Sequence, residues 1–239
     1  MRPPTSGTFS PQLARMGGWL YLGIIVGGLY AEAFVRSRLI TSGDAGKTAQ
    51  AILNNEPLYR SGLAADMLVL ACDVGVAAVF YQMLKPTSLT LSLMAASFRL
   101  VMVGIAGANA LNHAGALSLL KNASGMGSFS QTQLEELALQ SLRMHGNMYS
   151  ISLIFFGLSC VLTGYLLMRS RLVPPWIGAA LIVAGVCYLG SSSVRILWPQ
   201  GTAHIFPAAF IPPLIAEVSL TLWLIWRGVK TQEPRLREA

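Results

Sequence analysis

Six apolar stretches, each about as long as a membrane-crossing helix, fill most of this chain, and nearly every one is interrupted by an ionisable or hydrogen-bonding residue. Few folds accommodate that combination. A run of about 20 apolar residues reads as a transmembrane helix, because in hydrocarbon only a helix satisfies its own backbone groups. The interrupting residues are Glu32, Asp66, Asp73, Arg99, Asn109, Asn112, His113, His145, Arg195 and Glu217. Each must then face protein, water or a ligand rather than lipid. Of 239 residues only 11% are charged and 54% are hydrophobic, whereas a soluble domain carries about 25% charged residues.

Spans are predicted at about 16–36, 61–84, 89–120, 143–168, 175–197 and 208–227. The expected fold is all-α, a bundle of six transmembrane helices over 16–227 between an N-terminal segment (1–15) and a tail (228–239). The short turns carry Lys85, Arg169 and Arg171, and the tail carries Arg227, Lys230, Arg235 and Arg237, all on the side of Arg2 and Arg15. By the positive-inside rule both termini are then cytoplasmic, as in a bacterial inner-membrane protein. Trp19, Trp176, Trp198, Trp223 and Trp226 fall near span ends, where interfacial anchors belong.

The net charge of +7 flanks apolar segments and forms no basic face with interleaved aromatics, so the expected partners are membrane lipids and not nucleic acid. Cys72, Cys160 and Cys187 all lie in apolar runs and imply no disulfide. Two connections have helical patterns of their own: 44–54, opened by Asp44, and 130–142, opened by Ser130, Gln131, Thr132 and Gln133. Each is either an ordered connection or a lid on the interface. Arg15 followed by an apolar run and Ala31-Glu32-Ala33 also has the outline of a signal peptide, but Glu32 and Arg36 fit the intramembrane polar set, which favours a retained span.

Helical spacing places the polar residues on shared faces. Glu32 precedes Arg36 by four, the favourable order for an ion pair, and Asp66 precedes Asp73 by seven. Asn109, Asn112 and His113 cluster on one span, and His145, Tyr149, Ser152, Ser159 and Thr163 line another. At about 1.5 Å of rise per residue, Asp73 and Arg99 both fall near the bilayer centre on antiparallel neighbours, so they are expected to form an ion pair that fixes helix register. The remaining groups, Asn147 included, fall in the outer half and predict a polar cavity there.

For chemistry, Glu32, Asp66, His113, His145 and Glu217 are the candidate catalytic or proton-exchanging groups. Arg36 and Arg195, with Asn109, Asn112 and Asn147, are candidates for holding a small or lipidic ligand. His113 and His145 beside a carboxylate suit a divalent metal, yet the chain has no HExxH, no paired cysteines and no two histidines spaced within one helix. A hydrogen-bonded histidine network, an acid–base relay, a metal and a bis-histidine haem therefore stay open as readings. So do a ligand-binding protein with or without turnover, a proton-coupled transporter and a non-catalytic membrane partner. Gly23 and Gly27 form a GxxxG that permits close helix approach within the bundle. Asn122-Ala-Ser124 fits a glycosylation acceptor, a pattern common by chance.

The run Glu32-Ala33-Phe34-Val35-Arg36-Ser37, then Gly43-Asp44-Ala45, Arg60, Asp66, Asp73 and Phe98-Arg99-Leu100, resembles the bacterial membrane-protein family called domain of unknown function 4386. Phe155-Phe156-Gly157-Leu158, Gly164-Tyr165-Leu166, and Pro213, Glu217, Ser219-Leu220 and Trp223-Leu224 ahead of Arg227-Gly228-Val229-Lys230 carry the same resemblance. It spans about residues 10–230 and implies a six-span integral membrane protein. It implies no activity.

Overall fold

The computed structural model describes residues 10–121, 128–198, 200 and 208–229. The first span runs from Pro11 to Leu39 as one composite rod. It consists of α1 (Pro11–Leu29), a π-helical stretch (Tyr30–Arg36) and a closing turn (Ser37–Leu39). Then come α2 (Ala45–Asn54), α3 (Glu56–Leu84), α4 (Leu89–Lys121), α5 (Gln131–Ser170), α6 (Pro175–Leu197) and α7 (Ile211–Trp226), the last entered through a 3₁₀ turn at Ala208–Phe210. All six long rods are apolar and long enough to cross a membrane. Three depart from the predicted boundaries: the first span begins at Pro11, five residues before the predicted start. α3 begins at Glu56, and the helix expected separately at 130–142 is the first part of α5, a continuous rod whose 40 residues extend well past a hydrocarbon core about 30 Å thick. A separate lid at 130–142 is thereby ruled out.

Each long rod packs antiparallel on the next, and α7 returns to α1, so the six close into an up-and-down ring. Lipid-facing positions such as Val26, Leu68, Leu111, Val186 and Ile215 are exposed, while Asp73, Arg99, Asn109, His113 and Glu217 are buried. That inversion is the pattern a bilayer selects.

Small residues set the spacing of the ring. Gly157 and Gly164 on α5 face Gly185 and Gly178 on α6, so close that a Cβ on Gly164 would lie 2.5 Å from the Gly178 carbonyl oxygen. Ser150 and Ser192 continue the same seven-residue repeat, and both are buried. In lipid, where apolar burial gives helices little reason to associate, such close backbone approach is what van der Waals packing requires. Gly23 and Gly27 act likewise within the bundle: added methyls would meet Cys72 and Val69 of α3 at 3.3 and 2.7 Å.

α2 caps one end of the ring. Asp44 accepts a hydrogen bond from the Lys47 backbone N–H at 2.9 Å, and this contact, with the Lys47 side chain, holds its carboxyl below the usual carboxylate range. Thr48, Ala49 and Ile52 turn inward to join Val35, Leu39, Tyr59, Leu117 and Leu142 in a second apolar core at this end. The main core, around Tyr21, Phe80, Phe156 and Leu220, occupies the rest of the ring.

Candidate functional site

The buried charges gather in two groups at different depths. The central group is built on Arg99 of α4. Its Nε donates to Asp73 Oδ1 at 2.8 Å, and Nη2 lies 2.6 Å from the same oxygen at an angle too bent for a second hydrogen bond. Tyr21 and Phe156 stand on either side, each ring centre 5.0 Å from the guanidinium carbon. Cation–π attraction and the carboxylate together replace the hydration that Arg99 lacks. Asp73 and Arg99 thus meet at the depth their positions along the helices imply.

Glu217 of α7 belongs near this group and not with the histidines, where sequence depth alone had put it. It accepts a hydrogen bond from Tyr188 at 2.7 Å, and among the described residues no Lys or Arg lies within ion-pair distance. Tyr188 packs at a tilt against Phe156 and edge-on against Phe210, which holds its ring in place.

The second group lies toward the α2 end. Arg36 is its centre, held between Glu32 (Nε to Oε2, 2.7 Å) and Asp66 (Nη1 to Oδ2, 2.8 Å; Nη2 to Oδ1, 3.4 Å). The two-pronged contact with Asp66 uses the fork geometry of guanidinium on carboxylate. The π-helical stretch contains both Glu32 and Arg36; its wider turn keeps Ala31 and Val35 buried against α3 while Arg36 reaches Asp66. Single π turns of this kind recur at functional sites. Glu32 is 69% exposed at its side chain and Arg36 only 12%, so the group runs from an open carboxylate inward.

At its inner end His113 is fully buried. Its Nδ1 is 3.6 Å from Asp66 Oδ2, beyond hydrogen-bonding distance, and neither ring nitrogen has a hydrogen-bond partner among the described residues. The ring is wedged edge-on against Tyr59 at 4.3 Å, and the Tyr59 hydroxyl donates to the His113 carbonyl at 2.7 Å. His145 lies beyond, ring centres 5.3 Å apart, with Nδ1 placed 3.4 Å from the Asn109 carbonyl. Asn109 returns a bond to the His145 carbonyl at 2.9 Å, and Asn112 donates to Asn109 Oδ1 at 3.0 Å. These amides tie α4 to α5, so they shape the site without offering free donors to a ligand.

Two predicted members stand apart. Asn147 is exposed on α5 and has no hydrogen-bonding partner among the described residues. Arg195 crosses to α5 at Gly146, its Nη2 2.8 Å from where a Cβ would sit, and has no ion-pair partner among the described residues. Nor are three His, Cys, Asp or Glu side chains arranged to hold a metal ion among the described residues. The Asn122 acceptor lies outside them. Sequence reasoning missed Tyr59, although its spacing of seven from Asp66 and fourteen from Asp73 marks the same face of α3. It also missed Tyr21, whose role depends on a contact across the ring.

A closed ring of apolar rods with its charge clusters gathered between them defines a multi-pass α-helical membrane protein. The chain belongs to the family described as Domain of unknown function (DUF4386), whose model matches residues 16–228. An uncharacterised protein of Archaeoglobus fulgidus is 24% identical over 182 residues, which cover 76% of this chain and 92% of the relative. No solved structure matches the chain.

Proposed function

We propose that this protein binds a small or lipidic ligand within the membrane at the Arg36–Asp66–His113–His145 cluster, with Glu32 at the mouth and His113 as the acid–base group. In this reading it resides in the cytoplasmic membrane with both termini inside, which puts the cluster in the extracytoplasmic half. One observation carries the proposal. His113 is fully buried, its Nδ1 stands 3.6 Å from Asp66 Oδ2, and among the described residues neither ring nitrogen makes a hydrogen bond, although buried polar atoms nearly always make one. A histidine kept for packing alone would be better replaced by an apolar residue, whereas a ligand bearing a donor or acceptor would complete it. Asp66, already oriented by Arg36, is placed to share a proton with Nδ1 after a shift of a few tenths of an ångström.

The test is native mass spectrometry, with solvent extraction of whatever is bound, on the purified wild type and on His113→Leu. Leucine removes no side-chain hydrogen bond among the described residues, and Asp66 keeps its contact with Arg36, so the variant should fold. Wild type is expected to carry a co-purifying molecule that the variant loses. Equal occupancy in both, or an empty wild type, refutes the proposal.

A further inference from the structure

We propose a second binding site, for the anionic headgroup and upper acyl chain of a phospholipid, in the cleft between α3 and α4 at the α2 end. The cleft has a volume of about 330 Å³ and is lined by Tyr59, whose ring also packs against His113. Arg60 and Lys121 form its rim. Leu63, Ala114 and Leu117 line it below.

The rim has charge to spare. Glu56 accepts from Arg60 Nε at 2.7 Å and from Lys121 Nζ at 2.9 and 3.0 Å, so two cations share one carboxylate and, among the described residues, one positive charge is uncompensated. The bonds to Glu56 occupy only Nε of the guanidinium. Nη1 and Nη2 have no partner among the described residues, so Arg60, which lines the cleft, keeps donors to offer.

The apolar part lies deeper in the membrane on both walls. Leu63 follows Arg60 by three on a helix leaving the α2 end, and Leu117 precedes Lys121 by four on a helix arriving there. Both are therefore about one turn, roughly 5 Å, below the rim. A charged rim above an apolar slot, open to the side of a transmembrane bundle, complements an amphiphile whose phosphate sits at the interface. A water-soluble anion would engage the rim alone and leave the slot unfilled. The inference rests on α3 and α4 spanning the membrane and is independent of a ligand at His113.

Native mass spectrometry of the full chain in detergent tests it, titrating phosphatidylglycerol against phosphatidylcholine of the same acyl chains, with inorganic phosphate as competitor. One uncompensated charge predicts about fivefold stronger retention of phosphatidylglycerol. Arg60→Gln/Lys121→Gln should remove that preference, and Leu63→Trp, which fills the slot with the charges intact, should remove retention of both lipids. His113→Leu should leave the preference unchanged. Equal retention of the two lipids in wild type, an undiminished preference in the double variant, unaltered retention in Leu63→Trp, or displacement of lipid by millimolar phosphate overturns the proposal.

Discussion

Arg99→Met removes the cation and leaves Asp73, 3% exposed, charged and without a partner at the middle of the ring. Stranding a buried charge in this way costs about 3–5 kcal/mol, a loss of two to nearly four powers of ten in the folding equilibrium. The same change also empties the slot between Tyr21 and Phe156, where each face contributes about 0.5–2 kcal/mol. Asp73→Leu strands Arg99 instead but leaves both aromatic contacts, so its cost should fall at the lower end of that range. The double variant Asp73→Leu/Arg99→Met strands nothing and should lie within about 2 kcal/mol of wild type, which makes the coupling between the two sites at least about 4 kcal/mol. Reversible unfolding in mixed micelles, titrated with a denaturing detergent and followed by circular dichroism, gives all four corners of the cycle. Losses that simply add, with a coupling under about 0.5 kcal/mol, would show that the two charges are solvated independently and would refute the reasoning.

Gly164→Ala should destabilise by about 1–3 kcal/mol or more in the same assay, because the new methyl meets the Gly178 carbonyl and the Ile182 backbone, neither of which can rotate away. Gly28→Ala, with nothing within 4 Å of the added carbon, is the control expected to be neutral. Asp44 should protect the start of α2 in a pH-dependent way. Its folded carboxyl titrates below the unfolded value of about 3.9, so the stabilisation is present at neutral pH and is lost as pH falls through the folded value. Hydrogen exchange at the first turn of α2 should therefore distinguish wild type from Asp44→Ala at pH 7, with the difference shrinking as pH falls below the unfolded value.

The residues that hold the central group together differ in how far the chain alone reveals them. Asp73 and Arg99 could be paired on paper because a short turn joins α3 to α4 and equal distances from it fix equal depth. Glu217 could not, because nothing local says which face of α7 turns toward Tyr188. Glu32 and Arg36 pair as their spacing implies, yet the π-helical turn that carries Arg36 to Asp66 leaves no plain mark in composition. The 130–142 stretch has the capping signals of a separate helix, and Ser130 does cap it, but nothing after it breaks the helix, so it merges into α5.

The sequence by itself determined that this is a bundle of six apolar rods and that its charged residues turn inward, because both follow from what hydrocarbon accepts along a single helix. Only the tertiary structure decided that the rods close into a ring and that the charges divide into two groups. It also decided that His113 is buried beside Asp66 with no hydrogen bond to either ring nitrogen among the described residues. Those outcomes depend on which helix lies beside which and at what rotation, and that is set by contacts such as the Gly157–Gly185 and Gly164–Gly178 approaches, between residues far apart in the chain.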